Sequence, residues 1–147
     1  MAHTYSRNLV HVIFSSKDRR KTIAKELQPR LWAYLAGICK NHDMVALAAG
    51  GTENHVHILV NVPPKLALAK AVLLLKANSS RWMSEQGKEF SWQEGYGAFS
   101  VSASNLDAVI RYIQNQQAHH RKSSFEEEFC ALLRKHGVEY DPTFVFG

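Results

Sequence analysis

Apolar positions change their spacing several times along this chain, and each change marks a predicted element. Asn8 to Ser15 form a short, β-branched, apolar run that predicts a well-buried strand. The charged cluster from Lys17 to Lys21 reads as a loop. Leu27, Leu31, Leu35 and Ile38 then recur at helical spacing and predict a helix from about Ala24 to Asn41. Pro29 marks the first turn of its regular part. Met44 to Ala49 is short and apolar, and Gly50-Gly51 reads as the turn that ends it. Asn54 to Val62 alternates strongly, so the two segments predict a β-hairpin, stopped by Pro63-Pro64.

Lys65 to Met83, rich in Leu and Ala, predicts a helix with a broad apolar face. Gly87 to Gly97 is irregular, and Ala98 to Ser102 predicts a last strand. Ser104 to Arg121 predicts a helix with Ser104 or Asn105 as its N-cap. Phe125 to Lys135 predicts a further short helix, and Tyr140 to Gly147 a tail. The order is β-α-β-β-α-β followed by helices. That is an α+β chain with a ferredoxin-like antiparallel sheet, helices on one face, and C-terminal helices added. Such a sheet leaves its other face free for a site or a partner. The 147 residues fit one domain spanning 1–147.

Composition narrows the class. Hydrophobic residues make up 46% and charged residues 21%, which excludes a disordered or collagen-like chain. A formal net charge of +5 favours an anionic partner, nucleic acid being the commonest, although a solvated basic surface gives the same number. Cys39 and Cys130 form no CxxC pair, so they read as reduced thiols of a cytoplasmic protein. No apolar stretch has the length of a signal h-region or a membrane span, so neither is expected.

His55-Val56-His57 lies inside the strand of best alternation. Side chains two apart on a strand share a face, with Cα atoms about 6.5–7 Å apart, within reach of one ion. Val56, Ile58 and Val60 point the other way and would pack against helices. Imidazoles suit transition metals, and vacant positions would accept a phosphate oxygen. Two polar residues on a solvated strand face fit the same pattern. A histidine-triad hydrolase would need a third His where Leu59 stands. A two-histidine phosphoesterase would need His-x-Thr or His-x-Ser.

On the 104–121 helix, Leu106, Val109, Ile110 and Ile113 form a buried stripe. Tyr112, Gln116 and His119 follow one another by single turns along its flank. A neutral phenol is a poor nucleophile unless a nearby metal or base assists it. Gln116 could offer its carbonyl oxygen as a third ligand. An interfacial Tyr with a solvated Gln is the simpler alternative. His119 and His120 would contact DNA, tune the site or cap the helix.

Together these residues resemble the single-tyrosine HUH transposases of the insertion sequence 200/605 type, in which HUH stands for His, a bulky hydrophobic residue, then His. The matching segments are Asn54-His55-Val56-His57-Ile58-Leu59-Val60 and Val109-Ile110-Arg111-Tyr112-Ile113-Gln114-Asn115-Gln116, followed by His119-His120. Lys76 to Trp82, Trp92 to Tyr96 and Phe125 to Asp141 resemble the remaining family segments. The resemblance implies that His55, His57 and Gln116 bind Mg²⁺ or Mn²⁺. It implies that Tyr112 attacks single-stranded DNA, leaving a 5′-phosphotyrosine and a free 3′-OH, and that a second 3′-OH reverses the step. It also implies a homodimer and recognition of hairpins at element ends. Lys17, Arg19, Arg20, Lys76, Arg81, Arg111 and Lys122 are then candidate phosphate contacts, and Trp92 and Tyr96 candidate stacking residues. The alternatives are a related HUH nickase, usually larger; a nonenzymatic or domesticated protein that binds single-stranded DNA hairpins; and a structural metal site.

Overall fold

The computed structural model describes residues 3–87 and 89–146. Lys88 and Gly147, part of the irregular segment and tail expected above, lie outside the described residues. The elements are β1 (Leu9–Ser15), α1 (Gln28–Asn41), β2 (Val45–Gly51), β3 (His55–Asn61), α2 (Leu68–Glu85), β4 (Gly97–Ser100), α3 (Leu106–Gln114), α4 (Gln116–His119) and α5 (Phe125–Lys135). The strands form one antiparallel sheet in the order β2-β3-β1-β4. This is the expected ferredoxin-like core.

Alternation on the two central strands divides the sheet into two chemistries. Val10, Val12 and Phe14 of β1 and Val56, Ile58 and Val60 of β3 join Leu31, Leu35 and Ile38 of α1 and Val72, Leu75 and Met83 of α2 in the main core. Side chains of opposite parity face the other way. On β1 these are Leu9, His11, Ile13 and Ser15, and on β3 His55, His57 and Leu59. They are buried too, because the C-terminal helices of the same chain fold across that face. The face expected to stand free is therefore covered. The α3 stripe packs on Leu9 and Leu59, and Phe125, Phe129 and Leu133 of α5 pack on Ile13 and Phe99.

Several boundaries move by a few residues, α1 starting at Gln28 rather than Ala24 and β4 running Gly97–Ser100 rather than Ala98–Ser102, and two differences bear on the site. Gly50 and Gly51 continue β2, pairing with His57 and Val56, and the turn falls at residues 52–54. The helix expected over Ser104 to Arg121 breaks at Asn115, with a 3-10 turn before it at Ala103–Asn105. Asn105 stands at the N-cap but its side chain makes no capping bond. By contrast, α5 has the expected bounds and starts from a capping box: Ser124 Oγ accepts from Glu127 N–H, and Glu127 Oε1 accepts from Ser124 N–H. Both cysteines are free thiols. No helix among the described residues is long and apolar enough to cross a membrane.

Candidate active site

His55 and His57 are fully buried on the α5-facing side of β3. Each ring is held from behind by its Nδ1. His57 Nδ1 lies 2.7 Å from His11 Nε2. His55 Nδ1 lies 2.9 Å from Asn54 Oδ1 and 3.0 Å from Thr52 Oγ1. Both Nε2 atoms thereby turn inward, toward a common point. Buried imidazolium is costly without a strong anionic partner. Burial, then the neighbouring His57, takes His11 down to about 3, and burial takes His57 to about 4 despite Glu128.

The tyrosine helix reaches this point because β2 lets it approach. A Cβ on Gly50 would lie 2.4 Å from the Ile113 carbonyl oxygen, so only glycine permits this spacing. Gln117 fastens the next turn, donating to Gln28 Oε1 and to the Gly51 carbonyl. Tyr112 then stands with its ring centroid 5.7 Å from that of His57. Gln116 is buried, its Oε1 2.9 Å from His55 Nε2. The break at Asn115 does not undo the shared flank, since Tyr112, Gln116 and His119 all approach one carboxylate.

That carboxylate is Glu128 of α5, a residue sequence reasoning did not single out. Its Oε1 lies 3.0 Å from His57 Nε2, 3.0 Å from His120 Nε2 and 3.4 Å from His55 Nε2. Its Oε2 accepts from the Tyr112 hydroxyl and from Gln116 Nε2, and lies 3.5 Å from His119 Nε2. Burial alone would raise its pKa, but hydrogen bonds from His120, His55 and His57 outweigh burial and hold it well below the usual carboxylate range. Burial, then the charge and hydrogen bond of Glu128, push the Tyr112 hydroxyl well above the ordinary phenol range. Burial would depress His120, but its hydrogen bond to Glu128 raises it.

The sequence held a signal for Glu128. Phe125, Phe129, Leu132 and Leu133 mark the apolar stripe of α5, and Glu128 falls within that stripe at i+3 from Phe125. A lone carboxylate at a core position needs partners. His11 had a similar signal, a polar ring inside an apolar strand.

Beside Tyr112 opens a groove of about 650 Å³ whose lining includes Arg111, Tyr112, Asn115, His119, Arg121 and Lys122. Two of the candidate phosphate contacts, Arg111 and Lys122, thus stand next to the tyrosine, joined by Arg121. Lys17, Arg20 and Arg81 are exposed elsewhere, Arg20 paired with Asp18 and Arg81 bonded to Asn78. Arg19 lies 5.0 Å from the Phe146 ring and donates to the Phe146 carbonyl, which ties the tail to the loop after β1. Lys76 corrects the expectation of a phosphate contact. Its ammonium donates to the carbonyls of Gln93, Glu94 and Gly95, using all three of its donors. Trp92 is likewise no stacking platform. It is buried edge-on against Phe14 and Phe90, and its indole N–H donates to Ser79 Oγ. Tyr96 stays partly exposed.

Ligand atoms of His55, His57, His120 and Glu128 lie within 4.8 Å of one another, and Gln116 adds an amide oxygen beside His55. Imidazole, carboxylate and amide oxygen are a donor set suited to a divalent cation such as Mn²⁺.

Residues 4–116 match the profile of the family described as "Transposase IS200 like". The transposase for insertion sequence element IS200 of Salmonella typhimurium strain LT2 is 28% identical over 125 residues, covering 79% of this chain and 81% of that protein. The Salmonella typhi transposase for the same element matches to the same extent. Among solved structures, a protein assigned as a transposase from Deinococcus radiodurans R1 superposes with a TM-score of 0.63 at 22% identity, covering 79% of this chain and 95% of that one. A REP-associated tyrosine transposase bound to a REP hairpin gives 0.61 at 11% identity, covering 82% and 73%. These two share the fold.

Proposed function

The chain belongs to the IS200-like transposase family, and we propose that it cleaves and rejoins single-stranded DNA through a covalent bond to Tyr112. One observation carries this reading. The Tyr112 hydroxyl is held at the buried cluster of His55, His57 and Gln116 of its own chain, beside a groove carrying Arg111, Arg121 and Lys122.

The step balances simply. Tyr112 Oη bonds to the phosphorus of a phosphodiester, and the bond from that phosphorus to the 3′ oxygen breaks. The 5′ side stays on the tyrosine, and the other strand leaves as a 3′-OH that takes up the phenolic proton. A 3′-OH from a second strand attacks the phosphotyrosine, restores a phosphodiester and returns the phenol. One P–O bond forms for each that breaks, so no nucleotide is consumed.

His55, His57 and Gln116 would hold Mg²⁺ or Mn²⁺, their inward donor atoms supplying two imidazoles and an amide oxygen. When bound, such an ion supplies positive charge that polarises the phosphodiester. The chain's own residues do the rest. His11, Asn54 and Thr52 brace the two rings from behind, so each keeps its Nε2 facing the centre. The covering helices exclude water, which strengthens electrostatic interactions at the centre. Arg111, Arg121 and Lys122 would hold phosphates and set the strand's register. The hairpin carried by the REP-associated neighbour supports a DNA hairpin as the feature recognised. Two copies would associate, as the family resemblance implies, and Tyr112 would serve the histidine pair of its own chain, its ring centroid lying 5.7 Å from that of His57. A DNA substrate accords with a cytoplasmic location.

Covalent trapping tests the reading. Labelled single-stranded oligonucleotides from both flanks of the gene are mixed with the protein, with Mn²⁺ or with EDTA, and run on a denaturing gel. A metal-dependent adduct that disappears in Tyr112→Phe is the expected result. A native-gel shift without any adduct would instead point to a hairpin-binding protein.

A further inference from the structure

We propose that Glu128 is a protein ligand of the metal centre, and that the same carboxylate ties the Tyr112 hydroxyl to it. The inference rests on the metal reading above and adds a residue lying beyond residues 4–116, the span that defines the family match.

Geometry gives the division of labour. One carboxylate oxygen faces His57, His120 and His55, and the other faces Tyr112 and Gln116. A carboxylate placed between two sets of groups in this way connects them. Charge supports the assignment. Two neutral imidazoles and an amide leave a divalent cation uncompensated in a water-poor pocket. Glu128 is 3% exposed and supplies one negative charge at that spot. An isolated buried carboxylate would be costly, so a nearby cation stabilises it in turn. Donor chemistry points the same way. Two His with one carboxylate leave open positions on a metal, and hard cations prefer oxygen ligands.

Packing shows how the ligand is delivered. The capping box fixes where α5 starts, and Glu128 sits in its first turn. A Cβ on Gly97 would lie 2.8 Å from the Phe129 ring and 2.9 Å from Ile13 Cγ2, so glycine on β4 lets the helix pack there without displacing those side chains. Phe125 packs on the His55 ring, and Phe125 and Phe129 cluster with Ile13, which seats this turn of the helix over the histidines.

Mn²⁺ alone is the probe. Calorimetric titration of the full chain is compared with Glu128→Gln, Glu128→Asp and Tyr112→Phe. Glu128→Gln keeps the shape and removes the charge, and its affinity should fall at least about ten-fold. Glu128→Asp keeps the charge on a shorter stem and should fall in between. Tyr112→Phe should stay within about two-fold of the parent, since the phenol is not a ligand. At saturating Mn²⁺, Glu128→Gln should still form adduct more slowly, because Tyr112 has lost its tether. Equal or tighter Mn²⁺ binding by Glu128→Gln overturns the ligand assignment, and an unchanged adduct rate at saturation overturns the tether. A parent chain that binds no Mn²⁺ removes the metal reading itself, a separate outcome. Should the variants not fold, ¹³C-carboxyl glutamate in the parent chain decides. Mn²⁺ should broaden one buried carboxylate resonance ahead of the exposed ones, and uniform broadening would overturn the assignment.

Discussion

His11 Nε2 lies 2.7 Å from His57 Nδ1, joining a ring on β1 to a ring on β3 beneath the tyrosine helix. The contact decides which His57 nitrogen is left for the centre. Removing it frees the His57 ring to rotate or change tautomer. His11→Ala is expected to weaken Mn²⁺ affinity by about 10–100-fold, with His11→Asn recovering part of the loss. Calorimetry with Mn²⁺ checks this, and an unchanged affinity in His11→Ala would show that the brace is dispensable.

Acid should destabilise the fold by driving protons onto two buried histidines. His11 and His57 titrate near 3 and 4 when folded, against about 6.5 when unfolded. The unfolded chain therefore binds more protons below pH 6.5, and stability is lost as pH falls from 6.5 toward 4. The slope is on the order of 1 kcal/mol per pH unit for each ring. His120, shifted upward, adds stability already complete below pH 6.5, so it does not offset this window. Melting temperatures measured from pH 7.5 to 4.5 should drop steadily, and a flat profile would contradict both shifts.

Gly50→Ala tests the spacing of sheet and tyrosine helix. Its new methyl would collide with the Ile113 carbonyl, a backbone atom that yields only if α3 moves. We expect a loss of about 1–3 kcal/mol in urea unfolding, with adduct formation falling further than stability. Normal activity in a destabilised variant would mean that α3 shifts without disturbing Tyr112.

Cations near Tyr112 should differ from Lys76 in kind. Arg111→Gln and Lys122→Gln are each expected to weaken single-stranded DNA binding and reduce the salt slope by about 0.7. Lys76→Gln should lower the melting temperature and leave that slope unchanged, because its ammonium binds backbone carbonyls. Fluorescence anisotropy across a salt series separates the two effects.

Much of this was legible because periodicity reports directly on burial. The alternation of β3 gave both the core face and the histidine face, and the stripe on α3 gave the side on which Tyr112 and Gln116 stand. Local signals failed where tertiary packing overruled them. Gly50-Gly51 reads as a turn by composition, yet a helix backbone presses on the strand at Gly50 and the His55 backbone of β3 does so at Gly51. Trp92 and Lys76 look like nucleic-acid contacts by residue type, and only the partners Ser79 and the 93–95 carbonyls show otherwise. Glu128 meets His57 across 71 residues of sequence, a juxtaposition no short motif encodes.

The two-sided character of β1 and β3 has a consequence for engineering and evolvability. Repacking Val10, Val12, Ile58 and Val60 against the α1 and α2 side alters thermal tolerance through residues that never meet the reacting groups. Altering the opposite parity changes chemistry on the same strands. A lineage could therefore drift in heat resistance and in reactivity almost independently, one residue apart.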